Sequence, residues 1–263
     1  MPAIELSGAG VVVTGAGSGI GAALARRFAA AGAKVVVNDL DAQAAARVAT
    51  EVGGISVAGD ASAEESVAAL VATARAHLGE IDLYCANAGI EPGGGVHTPD
   101  ETWDRVWQVN VMGHVRAVRH LLGPWLARGR GHLLATVSAA GLLTHLGSAS
   151  YSVTKHGALA FAEWLAASYG DEGVTVQVIC PLGVRTEMYE RTDPAAKAVL
   201  AGEVLEPEQV ADAVMAGLAD GRFLILPHPE VRDHYAFRAT QTERWLRAMG
   251  RLRRRIDEAA GTG

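Results

Sequence analysis

Short runs of branched apolar residues alternate along the chain with longer, alanine-rich segments of helical periodicity. The first run, GVVVTG at residues 10–15, precedes a helical segment at 20–32, and the alternation continues to about residue 227. Strands that are apolar at nearly every position, each followed by a helix, are typical of a parallel sheet covered on both faces. The pattern therefore predicts a single doubly wound α/β domain over residues 1–263, with seven mainly parallel strands.

Two segments depart from this alternation. Residues 184–205 form a long connection, which we interpret as a substrate lid because such connections in compact domains are often functional. Residues 228–263 form a predicted C-terminal helical extension with an apolar stripe and an arginine-rich face. We interpret it as an amphipathic helix packed on its own domain or on a neighbouring subunit, with a membrane or partner anchor as the alternative.

Composition and charge narrow the possible functions. The chain has a net charge of -6, which argues against nucleic acid as a partner. Cys85 and Cys180 lie in apolar runs without the spacing of a metal site or a disulfide, so neither is predicted and a reducing cytoplasm is expected. No apolar run approaches the ~18 residues of a membrane helix, so we predict a cytoplasmic protein without a membrane partner.

A glycine-rich turn, TGAGSGIG at residues 14–21, lies between the first strand and the first helix. Glycines allow a sharp turn and a close approach of a ligand to the backbone, and the helix N-terminus attracts phosphate. The turn is therefore a candidate pyrophosphate site of a dinucleotide, contributed by Gly15, Ser18, Gly19, Ile20 and Gly21.

The second strand ends in Asp39, whose carboxylate is placed to accept hydrogen bonds from the adenosine ribose. It would repel a 2′-phosphate, and Ser18 and Leu40 supply no cation, so NAD is predicted rather than NADP. The alternative for Asp39 is a solvated or helix-capping carboxylate. Asp60, followed by Ala61, closes the third strand and is predicted to meet the adenine, with an N-cap as its alternative.

The pentapeptide YSVTK places Tyr151 and Lys155 one helical turn apart, hence on one face of a helix. Their unperturbed pKa values of about 10 and 10.4 make neither a useful proton carrier at neutral pH alone. A nearby ammonium and a bound nicotinamide would lower the pKa of the tyrosine and allow it to exchange a proton with an alcohol or a carbonyl.

The order of these motifs resembles that of the short-chain dehydrogenase/reductase family: TGxxxGxG, an aspartate after the second strand, NAG at 87–89, Asn110, Ser138 and YxxxK. The resemblance covers residues 7 to about 227 and implies a Rossmann-type fold. It implies Asn110, Ser138, Tyr151 and Lys155 as catalytic residues, with Ser138 polarising the substrate oxygen and Asn110 holding a water of a proton relay. Lys155 and Tyr151 would also contact the cofactor.

The resemblance implies further cofactor contacts from two loops. They are Asn87, Ala88, Gly89, Pro181, Gly183, Val184 and Thr186. One position departs from the family pattern, because Leu182 stands where a glycine usually follows the proline. Its side chain either points away from the nicotinamide or reshapes that end of the site.

The substrate pocket is predicted from Ser138, His145, Tyr151, Met188 and Tyr189, and no cationic cluster for a phosphate handle is evident. Leucines near His145, including Leu142, make the predicted pocket mainly apolar. For His145 itself, a solvent-facing loop position is the favoured interpretation and a substrate contact the alternative.

The function predicted is an NAD-dependent oxidoreductase of a small alcohol or carbonyl substrate. The alternative is an NAD-binding redox sensor or partner-binding protein on the same fold, which would be expected to lack the tyrosine or the lysine. The resemblance also implies a homotetramer or homodimer.

Overall fold

Within residues 4–192, 197 and 203–261, which the computed structural model describes, seven short strands form one sheet. The strands are β1 (Gly10–Thr14), β2 (Lys34–Asp39), β3 (Ile55–Ala58), β4 (Leu83–Ala86), β5 (Gly131–Thr136), β6 (Val174–Ile179) and β7 (Leu224–Ile225). Their order is β3-β2-β1-β4-β5-β6-β7, and every neighbouring pair is parallel. The doubly wound prediction is confirmed, and the strands are parallel throughout rather than mainly.

Helices cover both faces of the sheet. They are α1 (Gly19–Ala30), α2 (Ala42–Glu51), α3 (Glu64–Leu78), α4 (Asp100–Trp107), α5 (Gly113–Arg128), α6 (Ala149–Tyr169), α7 (Glu187–Glu190), α8 (Pro207–Asp220), α9 (Glu230–Thr240) and α10 (Thr242–Gly261). A π-helical turn, Gln108–Met112, joins α4 to α5 without a break. Such turns occur often at functional sites, and this one contains Asn110.

Alternate residues of the central strands enter two separate apolar cores. Val12 of β1 packs with α3, α5 and α6, whereas Val11 and Val13 pack with α1, α2 and α8. All three are fully buried, as expected for strands in a sheet covered on both faces. This arrangement brings the carboxyl ends of β1, β4, β5 and β6 to one edge, where open α/β sheets bind ligands.

The C-terminal helices contact each other and the loop before α6. Trp245 of α10 is buried, and the Arg238 guanidinium lies 5.3 Å from the centre of its ring. Further along α10, Arg253 Nη1 donates to the carbonyl oxygen of Leu146 at 3.2 Å. Whether the last helix packs on its own domain or on a neighbouring subunit stays a prediction. In the described part of the chain, no helix is long and apolar enough to cross a membrane.

Candidate active site

The glycine-rich turn leaves the start of α1 open. Gly15 and Gly19 have positive φ angles of 61° and 51°, which favour glycine. A Cβ at Gly21 would lie 2.2 Å from the Gly15 carbonyl oxygen, so no side chain fits there. Ser18 precedes α1 but makes no side-chain capping bond, which leaves the first N–H groups of the helix available to an anion. This geometry fits a dinucleotide pyrophosphate.

Asp39 ties the glycine turn to the end of β2. One carboxylate oxygen accepts from the Gly17 N–H at 2.8 Å and the other from the Asp41 N–H at 3.0 Å. The capping alternative for Asp39 is wrong, because Asp41 caps α2 by accepting from its first N–H groups. Leu40, which follows, is 69% exposed and brings no cation to the site. A carboxylate beside the turn is the arrangement that suits a ribose with free hydroxyls.

Asp60 is engaged by its own neighbours. One carboxylate oxygen accepts from the Ser62 N–H and hydroxyl at 2.8 and 2.6 Å, and the other accepts from Arg105 at 3.0 Å. These bonds outweigh burial and hold the pKa of Asp60 below its ordinary value. The N-cap alternative is wrong, since α3 begins after Ala63. Contacts of Asp60 and Ala61 with adenine stay a prediction.

The NAG segment joins three strand ends. The Asn87 amide donates to the Thr14 carbonyl oxygen at 2.9 Å and the Gly15 carbonyl oxygen at 3.2 Å, and its oxygen accepts from the Thr136 hydroxyl at 2.9 Å. The Thr14 hydroxyl accepts from the N–H groups of Asn87 and Ala88. Sequence reasoning missed both threonines; the available signal was a polar residue at the last position of an apolar strand.

Lys155 is buried beneath the NAG segment. A Cβ on Gly89 would lie 3.3 Å from its Nζ, which donates to the Thr136 carbonyl oxygen at 2.9 Å. The Nζ lies 5.4 Å from the centre of the Tyr151 ring. Burial lowers the pKa of Lys155 to about 8, because the charged form loses its hydration.

The expected lowering of the tyrosine pKa is not produced by the protein's own residues. Burial raises the pKa of Tyr151 to about 12; the Ser138 hydroxyl acts in the opposite direction, and the negative charge of Glu91 adds to the increase. Desolvation therefore outweighs the stabilisation of the phenolate in this environment. The positive nicotinamide ring is the additional charge that the predicted mechanism requires.

Different elements of the fold place Ser138 and Asn110 in the site. Ser138 lies two residues after β5, and its hydroxyl accepts from the Ala140 N–H at 3.1 Å. The Asn110 side chain binds both backbone groups of Ile90, at 2.9 and 3.0 Å, and donates to the Thr154 hydroxyl at 3.1 Å. Asn110 thus fixes the segment after NAG against α6.

His114 is a further polar residue in this region that sequence reasoning missed. It lies one turn after Asn110, and neither ring nitrogen has a hydrogen-bond partner among the described residues. Burial, followed by the charge of Lys155, lowers its pKa to about 3, so the ring is neutral. A lone histidine within a helical segment gave no sequence signal for this position.

The segment after β6 lies over the glycine turn. The Leu182 side chain is 39% exposed and its N–H donates to His228 Nδ1 at 3.1 Å, so the position is accommodated by pointing outward. Thr186 approaches the turn closely, since a Cβ on Gly19 would lie 3.0 Å from its methyl group. A cavity of about 540 Å³ between them is lined by Ser18, Gly19, Arg26, Arg185, Thr186, Glu187, Glu190, Arg191, Pro207 and Glu208.

The predicted substrate residues come together only in part. His145 meets Tyr151 edge-on with ring centres 6.1 Å apart, and its side chain is only 22% exposed, so the favoured solvent-facing interpretation is wrong. Leu142 is fully buried in the core and lines neither the cavity above nor a second cavity that extends from His145. Met188 and Tyr189 lie on α7, at the start of the predicted lid, and neither lines the cavity above. Part of that lid, residues 193–196 and 198–202, lies outside the described residues.

Comparison with known proteins agrees with this geometry. The family model for short chain dehydrogenase matches residues 9–197. The chain is 37% identical over 230 residues to 1-deoxy-11-beta-hydroxypentalenate dehydrogenase of Streptomyces exfoliatus, covering 84% of this chain and 83% of the relative. It is 35% identical over 218 residues to meso-2,3-butanediol dehydrogenase of Serratia marcescens, covering 80% and 86% of the two chains.

A solved structure shows the same fold. The short chain dehydrogenase/reductase from Burkholderia phymatum, in complex with NAD, superimposes with a TM-score of 0.82 at 30% identity, covering 91% of this chain and 96% of that one. The predicted family, fold and enzyme class are confirmed. The chain belongs to the short-chain dehydrogenase family.

Proposed function

We propose that Tyr151 exchanges the proton while a hydride passes between NAD(H) and the carbon of a secondary alcohol or ketone. The observation that carries this proposal is the position of the half-buried Tyr151 beside Lys155 and Ser138 at the ligand edge of the sheet. The bound cofactor would accept the hydride as NAD⁺ in oxidation and would supply it as NADH in reduction. In oxidation, Tyr151 Oη takes the hydroxyl proton as the alcohol becomes a carbonyl.

The other catalytic residues support this exchange. Ser138 donates a hydrogen bond to the substrate oxygen and so holds it towards the phenol. Lys155 holds its ammonium close to the Tyr151 ring and favours the phenolate electrostatically. Asn110 positions the segment at Ile90 beside α6 and carries the relay that the family resemblance implies.

The cofactor contacts are proposed on the same basis. The open turn holds the pyrophosphate, Asp39 the adenosine ribose, and the segments at 87–89 and 181–186 the nicotinamide end. Asp60, Ala61 and Leu40 flank the adenine. Support comes from the accessible N–H groups at the start of α1 and the carboxylate beside them.

Replacing Asp39 with asparagine is expected to shift cofactor preference towards NADP by about 10- to 100-fold. Asparagine keeps an acceptor for the Gly17 N–H but loses the charge that repels a 2′-phosphate and strengthens the ribose hydrogen bonds. The measurement is kcat/KM for NAD and NADP. The control is Asp41→Asn, two residues away. An unchanged ratio of kcat/KM for NAD to kcat/KM for NADP in Asp39→Asn would contradict the assignment of Asp39 to the adenosine ribose.

The chain is proposed to be a single domain in which residues 184–205 form a lid and residues 228–263 a helical extension. Both cysteines are free and buried, which supports a cytoplasmic location. The proposed substrate is a small alcohol or carbonyl compound. Neither nucleic acid nor a membrane is proposed as a partner.

We further propose a homodimer or homotetramer built on the outer face of α4 and α6. Trp107, Val153 and Trp164 are 41%, 50% and 54% exposed on these helices. Clustered exposed aromatic residues mark association surfaces. Trp164→Glu is expected to reduce the molar mass seen by light scattering, whereas Leu246→Glu on α10 should not. An unchanged mass for Trp164→Glu would place the interface elsewhere.

A further inference from the structure

A carboxylate and an imidazole lie side by side next to Tyr151, and the proton transfer proposed above uses neither. Glu91 follows the NAG segment, and His145 lies in the loop after Ser138. His145 Nε2 is 3.9 Å from Glu91 Oε1, and the side chains are only 22% and 14% exposed. Since the His145 ring also contacts Tyr151 edge-on, the pair lies close to the reacting atoms.

The pair has unused hydrogen-bonding capacity. Glu91 Oε1 accepts from the Gly93 N–H at 2.9 Å, but no group of the described residues donates to Oε2. Neither ring nitrogen of His145 has a hydrogen bond within the described part of the chain. An open acceptor beside an open imidazole, both partly exposed, can together hold a polar group of a ligand.

The two loops are held in place before any ligand arrives. The Gly94 N–H donates to the Gly147 carbonyl oxygen, and the Ala149 N–H donates to the Gly94 carbonyl oxygen, both at 2.9 Å. The Ser152 hydroxyl accepts from the His145 N–H at 2.9 Å and donates to its carbonyl oxygen at 3.1 Å. These hydrogen bonds fix the separation of the Glu91 and His145 side chains before a substrate binds. A preorganised site binds at lower entropic cost.

We propose that Glu91 and His145 recognise a second hydroxyl of a neutral substrate, which makes this protein a dehydrogenase of diols and of the matching hydroxy ketones. One hydroxyl oxygen can lie about 2.8 Å from both groups, because they are 3.9 Å apart. It donates to the carboxylate and accepts from the imidazole N–H. The proposal rests on the assigned role of Tyr151, which oxidises the neighbouring hydroxyl.

The Glu91 charge disfavours anionic substrates. A carboxylate or phosphate next to the reacting carbon would meet the Glu91 charge in a partly buried site, where repulsion is strong. A cavity of about 520 Å³ extends from His145, and its described lining holds no lysine or arginine. The lining consists of Gly94, Gly95, Thr144, His145, Leu146, Ala149, Ser152, Val153 and His156. Its apolar character suits the carbon skeleton of a neutral substrate.

The test compares matched ring substrates: cyclohexanol, cyclohexane-1,2-diol, 2-aminocyclohexanol and 2-hydroxycyclohexanecarboxylate. The wild type is expected to prefer the diol over cyclohexanol by about 10- to 100-fold in kcat/KM, since a site that hydrogen-bonds a hydroxyl rejects analogues lacking it. Glu91→Gln and His145→Phe should each remove most of that preference, measured within each variant as the ratio of kcat/KM for the diol to kcat/KM for cyclohexanol. Glu101→Gln, the same change at an exposed position on α4, should retain it.

The proposal is overturned by an equal loss for diol and cyclohexanol in Glu91→Gln, or by a wild-type preference for the acid or the amine. Calorimetric binding of the diol to the wild-type complex with NADH, compared with Glu91→Gln, tests recognition without turnover. Diol binding that depends on Glu91 but gives no reaction would refute the role of Tyr151 and leave the recognition intact. Turnover without diol preference would refute only the recognition.

Discussion

Replacing Tyr151 with phenylalanine is expected to lower kcat/KM for alcohol oxidation by about 10²- to 10⁴-fold. The substitution removes one hydroxyl from a half-buried ring and leaves the contact with His145 and the packing of α6 in place. The chemical step then lacks its proton acceptor, whereas the cofactor site keeps its main contacts. Initial rates with NAD, together with an NADH fluorescence titration, separate these two effects.

A matched substitution makes this result specific. Tyr235 on α9 is 36% exposed, and Tyr235→Phe should leave both kcat/KM and NADH affinity unchanged. Full activity in Tyr151→Phe would refute the mechanism. A parallel loss of NADH binding and activity would instead show that the phenol serves mainly to hold the cofactor.

Replacing Lys155 with methionine is the second large effect, expected to reduce kcat/KM by at least about 10²-fold without unfolding the protein. Methionine fills a similar volume, and the buried site no longer has to accommodate an ammonium. The variant loses the bond to the Thr136 carbonyl oxygen and the charge near the Tyr151 ring. Activity falls because the phenolate loses its electrostatic support.

The same variant should change how stability depends on pH. The pKa of Lys155 is about 8 in the folded protein and 10.5 in its unperturbed state. Between these values the unfolded chain holds the proton and the folded one does not, so this residue makes stability rise with pH from 8 to 10.5. The gain is on the order of 3 kcal/mol at most. It should be absent in Lys155→Met.

Denaturant unfolding at pH 7.5 and pH 10 measures this difference. Other groups also titrate in that range, so the comparison is the change in free energy of unfolding between wild type and variant. Lys34→Met, at an exposed lysine of β2, is the control and should follow the wild type. An identical pH dependence in Lys155→Met would contradict the lowered pKa.

The cofactor half of the site could be predicted because its signals are local in sequence. A strand, a glycine turn and a helix follow one another within residues 10–30, and Asp39 ends the next strand. The structure places these groups together because parallel strands share one ligand edge. The common position of Tyr151 and Lys155 could also be predicted, since helical spacing alone puts them on one face.

The remaining features depend on contacts between distant parts of the chain. Asp60 is engaged by Arg105, which is 45 residues away, and this partner has no sequence signature. His145 is buried because its loop packs on Tyr151 and is linked to the segment after Glu91. The raised pKa of Tyr151 in the protein without cofactor could not be predicted, because desolvation depends on three-dimensional burial.

The hydrogen bonds among Thr14, Asn87 and Thr136 have a consequence for altering substrate choice. They join the ends of β1, β4 and β5 into one unit that also holds Lys155 through the Thr136 carbonyl oxygen. The loops at 91–95 and 144–148 lie outside this unit and are attached mainly to each other and to α6. Mutagenesis for new substrates can therefore be confined to these two loops while the three polar anchors are left unchanged.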